Sequence, residues 1–171
     1  TRNGDLVINA NDFPSGMQFN SGSVSQPNGS GTIVVEGDLY INADITYNNN
    51  VPITRLTYLP SVAWIVKGDV YISPDVRQVV GALIVLGNGR DCPSVGQASA
   101  GCGRISTGIS SQNPLDINGL VMAKQFLLQR TFFSPDRGAE QIRYDGRSVA
   151  NPPPGLGDIT QVLPEWRGVA P

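Results

Sequence analysis

The stretch Ile33 to Ile45, IVVEGDLYINADI, returns thirty-one residues later as Trp64 to Val76, WIVKGDVYISPDV. A unit that recurs at this distance is the mark of a stacked repeat, in which each copy buries its apolar face against the next. In the first copy Ile33, Val35, Leu39, Ile41 and Ile45 alternate with Val34, Glu36, Asp38, Tyr40, Asn42 and Asp44. That period of two predicts strands with one buried and one wet face. Gly37 falls at an inward phase, where the missing side chain allows a bend between two short strands. The second copy keeps the pattern, with Val66, Val70, Ile72 and Val76 facing in, Gly68 at the bend, and Lys67, Asp69, Tyr71 and Asp75 facing out.

Further copies are partial. Gly4 to Ala10 repeats the second half of the unit, Val79 to Gly87 repeats the first half nineteen residues after Trp64 to Gly68, and Leu115 to Ala123 resumes the pattern after a long interruption. Stacked in this register, Ile33, Trp64, Leu83 and Val121 form one internal row, and Val35, Val66, Val85 and Ala123 a second. Leu6, Leu39 and Val70 form a third, Ile8, Ile41 and Ile72 a fourth, and Glu36 lies over Lys67 on the outside. The expected fold is all-β, a short right-handed parallel β-helix of about four to six coils, with handedness taken from the general rule for parallel crossovers. Insertions are expected near 11–31, 46–60 and 88–114, where Gly, Pro, Asn and Ser break the alternation. Phe13, Met17 and Phe19 are expected to fold back over an end or flank. Ile84 and Leu86 make a second apolar face on their strand, which predicts a cover on both sides.

The domain is expected to span 1–150, followed by a Pro-rich arm or cap at 151–171. In the arm, a short helix from Asp158 would place Ile159, Val162, Leu163 and Trp166 on one stripe, too short to stand without packing on something. The 171 residues suit one domain. A net charge of -2 with no Lys/Arg run gives no footprint for nucleic acid, and no apolar run reaches transmembrane length. The chain opens abruptly at TRNGDLVI, as expected of a mature or trimmed ectodomain.

No His and only two Cys leave the usual zinc and iron ligand sets unavailable within the chain, and no cofactor is expected. Cys92 and Cys102 sit in a Gly/Ser/Pro-rich segment at a spacing unlike CxxC, so a loop-closing disulfide is the expected state, in an oxidising compartment. Without His, a Ser/His nucleophile is excluded. Asp38, Asp69, Glu36 and Lys67 share an outer face, as the carboxylates of polysaccharide-cleaving solenoids do. The simpler expectation is turn chemistry, each Asp side chain accepting a nearby backbone amide after the bend glycine. Tyr40 above Tyr71 makes an outward aromatic ladder that either stacks a sugar ring or stabilises the sheet.

The units VVEGDLYINADI, IVKGDVYISPDV and INGLVMAK resemble the polymer-forming, bactofilin-like β-helix repeats of bacterial cytoskeletal proteins and of surface proteins with a pilin-like anchor. The tail YDGRSVANPPPGLGDITQVLPEWR is similar to tails on surface proteins of this kind. The resemblance implies a non-enzymatic scaffold whose partner is itself or a sister subunit, assembling into a cell-surface or filament structure. The cystine loop and the long excursions depart from the cytoplasmic members and favour an extracellular or cell-surface place. A carbohydrate-binding or polysaccharide-cleaving protein using the Asp/Tyr ladders is the alternative, with polysaccharide as the partner.

Overall fold

The computed structural model describes residues 1–48, 52–94, 97, 100–110, 112–131, 134 and 136–157. Among them lie fourteen strands, one short α-helix and one turn of 3-10 helix at Leu56–Tyr58. The strands are β1 (Leu6–Asn9), β2 (Met17–Asn20), β3 (Ser30–Val35), β4 (Leu39–Asn42), β5 (Ile45–Asn48), β6 (Ser61–Val66) and β7 (Val70–Ile72). They continue as β8 (Gln78–Val80), β9 (Ala82–Val85), β10 (Arg104–Ser106), β11 (Leu115–Asn118), β12 (Val121–Ala123), β13 (Gln125–Leu127) and β14 (Glu140–Arg143). The helix, α1, is Arg147–Ala150. The protein is all-β, and every pairing between these strands is parallel.

The chain visits three walls in strict rotation. The first wall is the sheet β1-β4-β7-β10-β13, and the third is β3-β6-β9-β12. The second is made of the pair β2-β5 and the sheet β8-β11-β14, with β5 and β8 side by side. Each expected row is present: Ile33 pairs with Trp64, Trp64 with Leu83, and Leu83 with Val121, while Ile8, Ile41 and Ile72 stack in the first wall. These inward rows form one core in which Val35, Leu39, Ile41, Ile45, Trp64, Val66, Val70, Leu83 and Leu115 are fully buried. Burying a Val, Leu or Ile side chain contributes about 1.5–3 kcal/mol, so the internal rows are the main stabilising feature. Trp64 satisfies its indole N–H on the Val80 carbonyl at 3.3 Å and meets Phe19 edge-on at 5.7 Å.

Three segments expected as insertions hold strands of their own. The range 11–31 contains β2, 46–60 continues β5, and 88–114 contains β10. Met17 and Phe19 are therefore rungs of the second wall, paired with Ile45 and Tyr47, rather than part of a loop folded back over an end or flank. Both still pack on the core, as does Phe13.

The chain leaves the walls after β14 and turns back over the outer face of the third wall. Asn151 donates to the carbonyls of Thr57 and Leu59 at 3.2 and 2.7 Å, and the Thr32 hydroxyl donates to the Pro154 carbonyl at 2.6 Å. Leu156 is buried against Ala63, Ala82 and Ile84. The tail covers Ile84 as the second apolar face of β9 requires, whereas Leu86, expected on the same face, stays 47% exposed. The expected helix from Asp158, with Ile159, Val162, Leu163 and Trp166, lies outside the described residues; α1 precedes it and was not foreseen.

Candidate functional site

The bend between the third and first walls carries a vertical row of carboxylates. Asp5 Oδ1 accepts the Asp38 amide at 2.9 Å, and Asp38 Oδ1 accepts the Asp69 amide at 2.8 Å. Asp69 then accepts from Gly101, Gly103 and Arg104 at 2.9, 2.8 and 2.7 Å. Each Gly-Asp pair is thus one stacking device. The Asp side chain reaches to the next rung, and the glycine of that rung leaves room: a Cβ on Gly68 would collide with Asp38 Oδ1 and the Gly37 carbonyl. The row ends where Arg104 takes the place of an Asp in β10, across from Gln125 of β13.

The carboxylates therefore serve the backbone as expected, but the amides they accept belong to the following passage, 31 to 35 residues on, and not to their own turn. Asp69 is almost fully buried, at 1% exposure. Burial is the main cause that raises the Asp38 pKa above the usual carboxylate value, the Asp69 amide opposes it, and the charges of Asp69 and Asp5 add to the rise. Among the described residues no group of three or more acidic, Cys or His side chains is arranged to hold a metal ion.

Beside this row, Tyr40 and Tyr71 are Cα partners on β4 and β7, and their rings stack at 5.0 Å with planes 14° apart. The Tyr71 hydroxyl donates to Asp69 Oδ2 at 3.4 Å. Desolvation, then the neighbouring Asp69 and Asp38 charges, push the Tyr71 phenol up to about 12. Glu36 and Lys67 form the expected ion pair across β3 and β6 at 2.7 Å. Both side chains are well exposed, so the pair contributes under about 1 kcal/mol.

Cys92 and Cys102 are joined, with Cα atoms 5.0 Å apart. The loop they close is fixed at two further points. Asp69 holds Gly101 and Gly103, and the Arg104 guanidinium donates to the Pro93 and Gln97 carbonyls at 2.9 and 3.1 Å.

Arg130 was missed by sequence reasoning, lying in the apolar run FLLQRTFF. Its guanidinium is buried and donates to four carbonyls: Thr107 at 3.0 Å, Val76 at 2.6 Å, Asn113 at 3.0 Å and Ser73 at 2.9 Å. Glu140 closes the junction, accepting the Gln129 and Arg130 amides and the Thr107 hydroxyl. Burial draws the Arg130 pKa down, while the charges of Glu140, Asp44 and Asp75 hold it up. The residue ties three successive passages of the chain together at one corner.

The two ends of the stack differ. In the first passage the inward Ile8 is 2% exposed, and Leu6, Met17, Phe19 and Ile33 are partly buried against the core. In the last passage the inward Phe126, Leu128 and Ile142 are 42%, 52% and 47% exposed, although Ile105 and Ile117, one rung below Phe126 and Ile142, are at 1% and 2%. Among the described residues β12, β13 and β14 are sheet edges at this end, as β1, β2 and β3 are at the other, so the ends differ in exposed inward side chains and not in unpaired edges.

Searches of protein-family models, curated proteins and solved structures find no match to this chain.

Proposed function

We propose that this chain is a short right-handed parallel β-helix acting as a non-enzymatic, extracellular structural module, and that it associates with itself or a sister subunit through its open end. The observation that carries the reading is the contrast in burial between the first and last passages. Three apolar side chains at inward positions of β13, its continuation and β14 lack the next rung that every earlier passage has. Unpaired strand edges recruit another chain unless charge, proline or a bulge blocks them. The run Gln125 to Gln129 contains no charged residue and no proline. The joined Cys92 and Cys102 favour an oxidising compartment, and the resemblance to bactofilin-like repeats points to the same assembling role.

Light scattering on the full chain over a concentration series tests it. The expected mass rises above the 18.2 kDa of one chain, and Leu128→Glu, at an already exposed position, holds it at one chain. Val24→Glu, on a loop residue 90% exposed, leaves association unchanged. A wild-type chain that stays at monomer mass at the highest concentration overturns the reading.

The Tyr40 and Tyr71 stack supports a second reading, in which the flat aromatic surface takes a sugar ring. Glycan-array binding lost in the Tyr40→Ala, Tyr71→Ala double variant is its expected signature, and an array with no binding removes it. Cleavage by Asp38 and Asp69 is disfavoured, since both carboxylates accept backbone amides.

A further inference from the structure

An open, mostly polar groove of about 390 Å³ lies on the outer face of the second wall, away from the Tyr40 and Tyr71 stack on the first. One register row forms its floor: Val80, Asn118 and Arg143 are Cα partners across β8, β11 and β14. Neighbouring rungs are about 4.8 Å apart, so Asn118 and Arg143 stand side by side. The turn from Tyr144 to Arg147 makes the wall. There the Arg147 guanidinium lies over the Tyr47 ring at 4.6 Å and meets Asp145 Oδ2 at 3.3 Å. Its position is set by the protein itself.

Charge in this groove runs against the rest of the chain. Asp116 is taken by Arg137 at 2.7 Å, which leaves Arg143 at 3.7 Å from the same oxygen, with its side chain 59% exposed and its contact with Gln141 also at the surface. The charged side chains that line the groove are Arg143, Arg147 and Asp145, a local excess of one positive charge in a chain of net charge -2. Tyr144 is 65% exposed beside them. A guanidinium fork fits a carboxylate with two parallel hydrogen bonds. An exposed phenol ring offers an apolar face with a polar tip, and the amides of Gln78 and Asn118 both donate and accept, as sugar hydroxyls do.

We propose that this groove binds an acidic sugar, a carboxylate-bearing pyranose unit of an oligosaccharide. Arg143 takes the carboxylate, with Arg147 adding its charge from the wall; the ring lies against Tyr144, and hydroxyls meet Gln78 and Asn118. The groove shares β14 with the open end, so sugar binding is read at a dilution where light scattering gives one chain, and Leu128→Glu, which removes association, leaves it unchanged.

Calorimetric titration of the full chain with a short oligogalacturonate is the test, with a neutral malto-oligosaccharide and a polyglutamate peptide as comparators. The expected result is binding of the oligogalacturonate, weakened by added salt, and no binding of the neutral sugar. Arg143→Gln weakens it roughly 10-fold or more, since a hydrogen bond to a charged group is lost. Tyr144→Ala weakens it as well, whereas the Tyr40→Ala, Tyr71→Ala double variant leaves it unchanged. Both groove positions are exposed, and unaltered thermal unfolding of the two groove variants confirms that they fold. No binding, equal binding of the neutral sugar, or binding indifferent to Arg143→Gln overturns the proposal. Equal binding of polyglutamate overturns the sugar and assigns the groove to acidic peptides.

Discussion

Asp69 is a buried acceptor for three amides that belong to the segment carrying Cys102. Replacing it with Ala leaves those amides unpaired, at about 1–3 kcal/mol each before any relaxation. Asp69→Ala is expected to lose at least about 3 kcal/mol in urea unfolding, and Asp69→Asn, which keeps one acceptor oxygen, less. Asp38 behaves in the opposite sense. Its raised pKa means that ionisation weakens the fold, so its favourable contribution is present at acid pH and lost as pH rises through the folded-state value. Asp38→Asn keeps the acceptor for the Asp69 amide and removes the charge near Asp69 and Asp5. It is expected to raise the melting temperature slightly at neutral pH, by under about 1 kcal/mol of stability, and to give no gain in acid. Loss of stability at both pH values contradicts this account of the ladder. Tyr71 gives a separate readout. Its folded-state value of about 12 lies above the ordinary 10, so the unfolded chain loses its proton first. The contribution of Tyr71 is intact below about 10 and lost as pH climbs through about 12. An ultraviolet titration of the folded chain is expected to show a late phenol step that Tyr71→Phe removes.

At the scale of elements, the tail is held by few contacts but covers an apolar face. Leu156→Ala is expected to cost about 2 kcal/mol or more, as for other buried leucines, and to raise amide exchange along 151–157 before the walls open. Unchanged exchange there contradicts the packing of Leu156 on Ile84. The walls themselves were legible to different degrees. Ile33 to Ile45 and Trp64 to Val76 announce two strands each, because inward and outward residues alternate without a break and the Gly-Asp bend recurs. The strands β2 and β5 of the second wall and β10 of the first are much harder to read. β2 and β5 are four residues long and half polar, and β10 has Ile105 as its one buried apolar residue. Short strands in polar sequence draw their stability from neighbours on either side, which a local pattern does not contain. Arg130 is hidden for a related reason. Its four acceptors come from Ser73 to Asn113, so nothing within FLLQRTFF marks the side chain as buried. Arg130→Met is expected to cost about 3–5 kcal/mol, because carbonyls that face a charged donor lose it together. The acidic-sugar groove was illegible too: Tyr47, Gln78, Asn118 and Arg143 are brought together only by the rotation through the walls.

At the scale of the molecule, stacking has a direction. Each passage covers the one before it, and the last leaves its inward Phe126, Leu128 and Ile142 half exposed, whereas in the first Ile8 is buried and Leu6, Met17, Phe19 and Ile33 pack on the core. The tail does not serve as the next rung: its described part turns away to the flank of the third wall. Association at the open end would bury its half-exposed side chains and pair β12, β13 and β14 in a single step, whereas pairing the edges β1, β2 and β3 of the first end would bury no comparable set of exposed inward side chains. Hydrogen exchange on the full chain, at dilute and at high protein concentration, reads this most directly. The account predicts slower exchange at high concentration in Val121–Ala123, Gln125–Leu127 and Glu140–Arg143, with Leu6–Asn9 and Ser30–Val35 unchanged. Exchange independent of concentration, or new protection at Leu6–Asn9 and Ser30–Val35 instead, would contradict it.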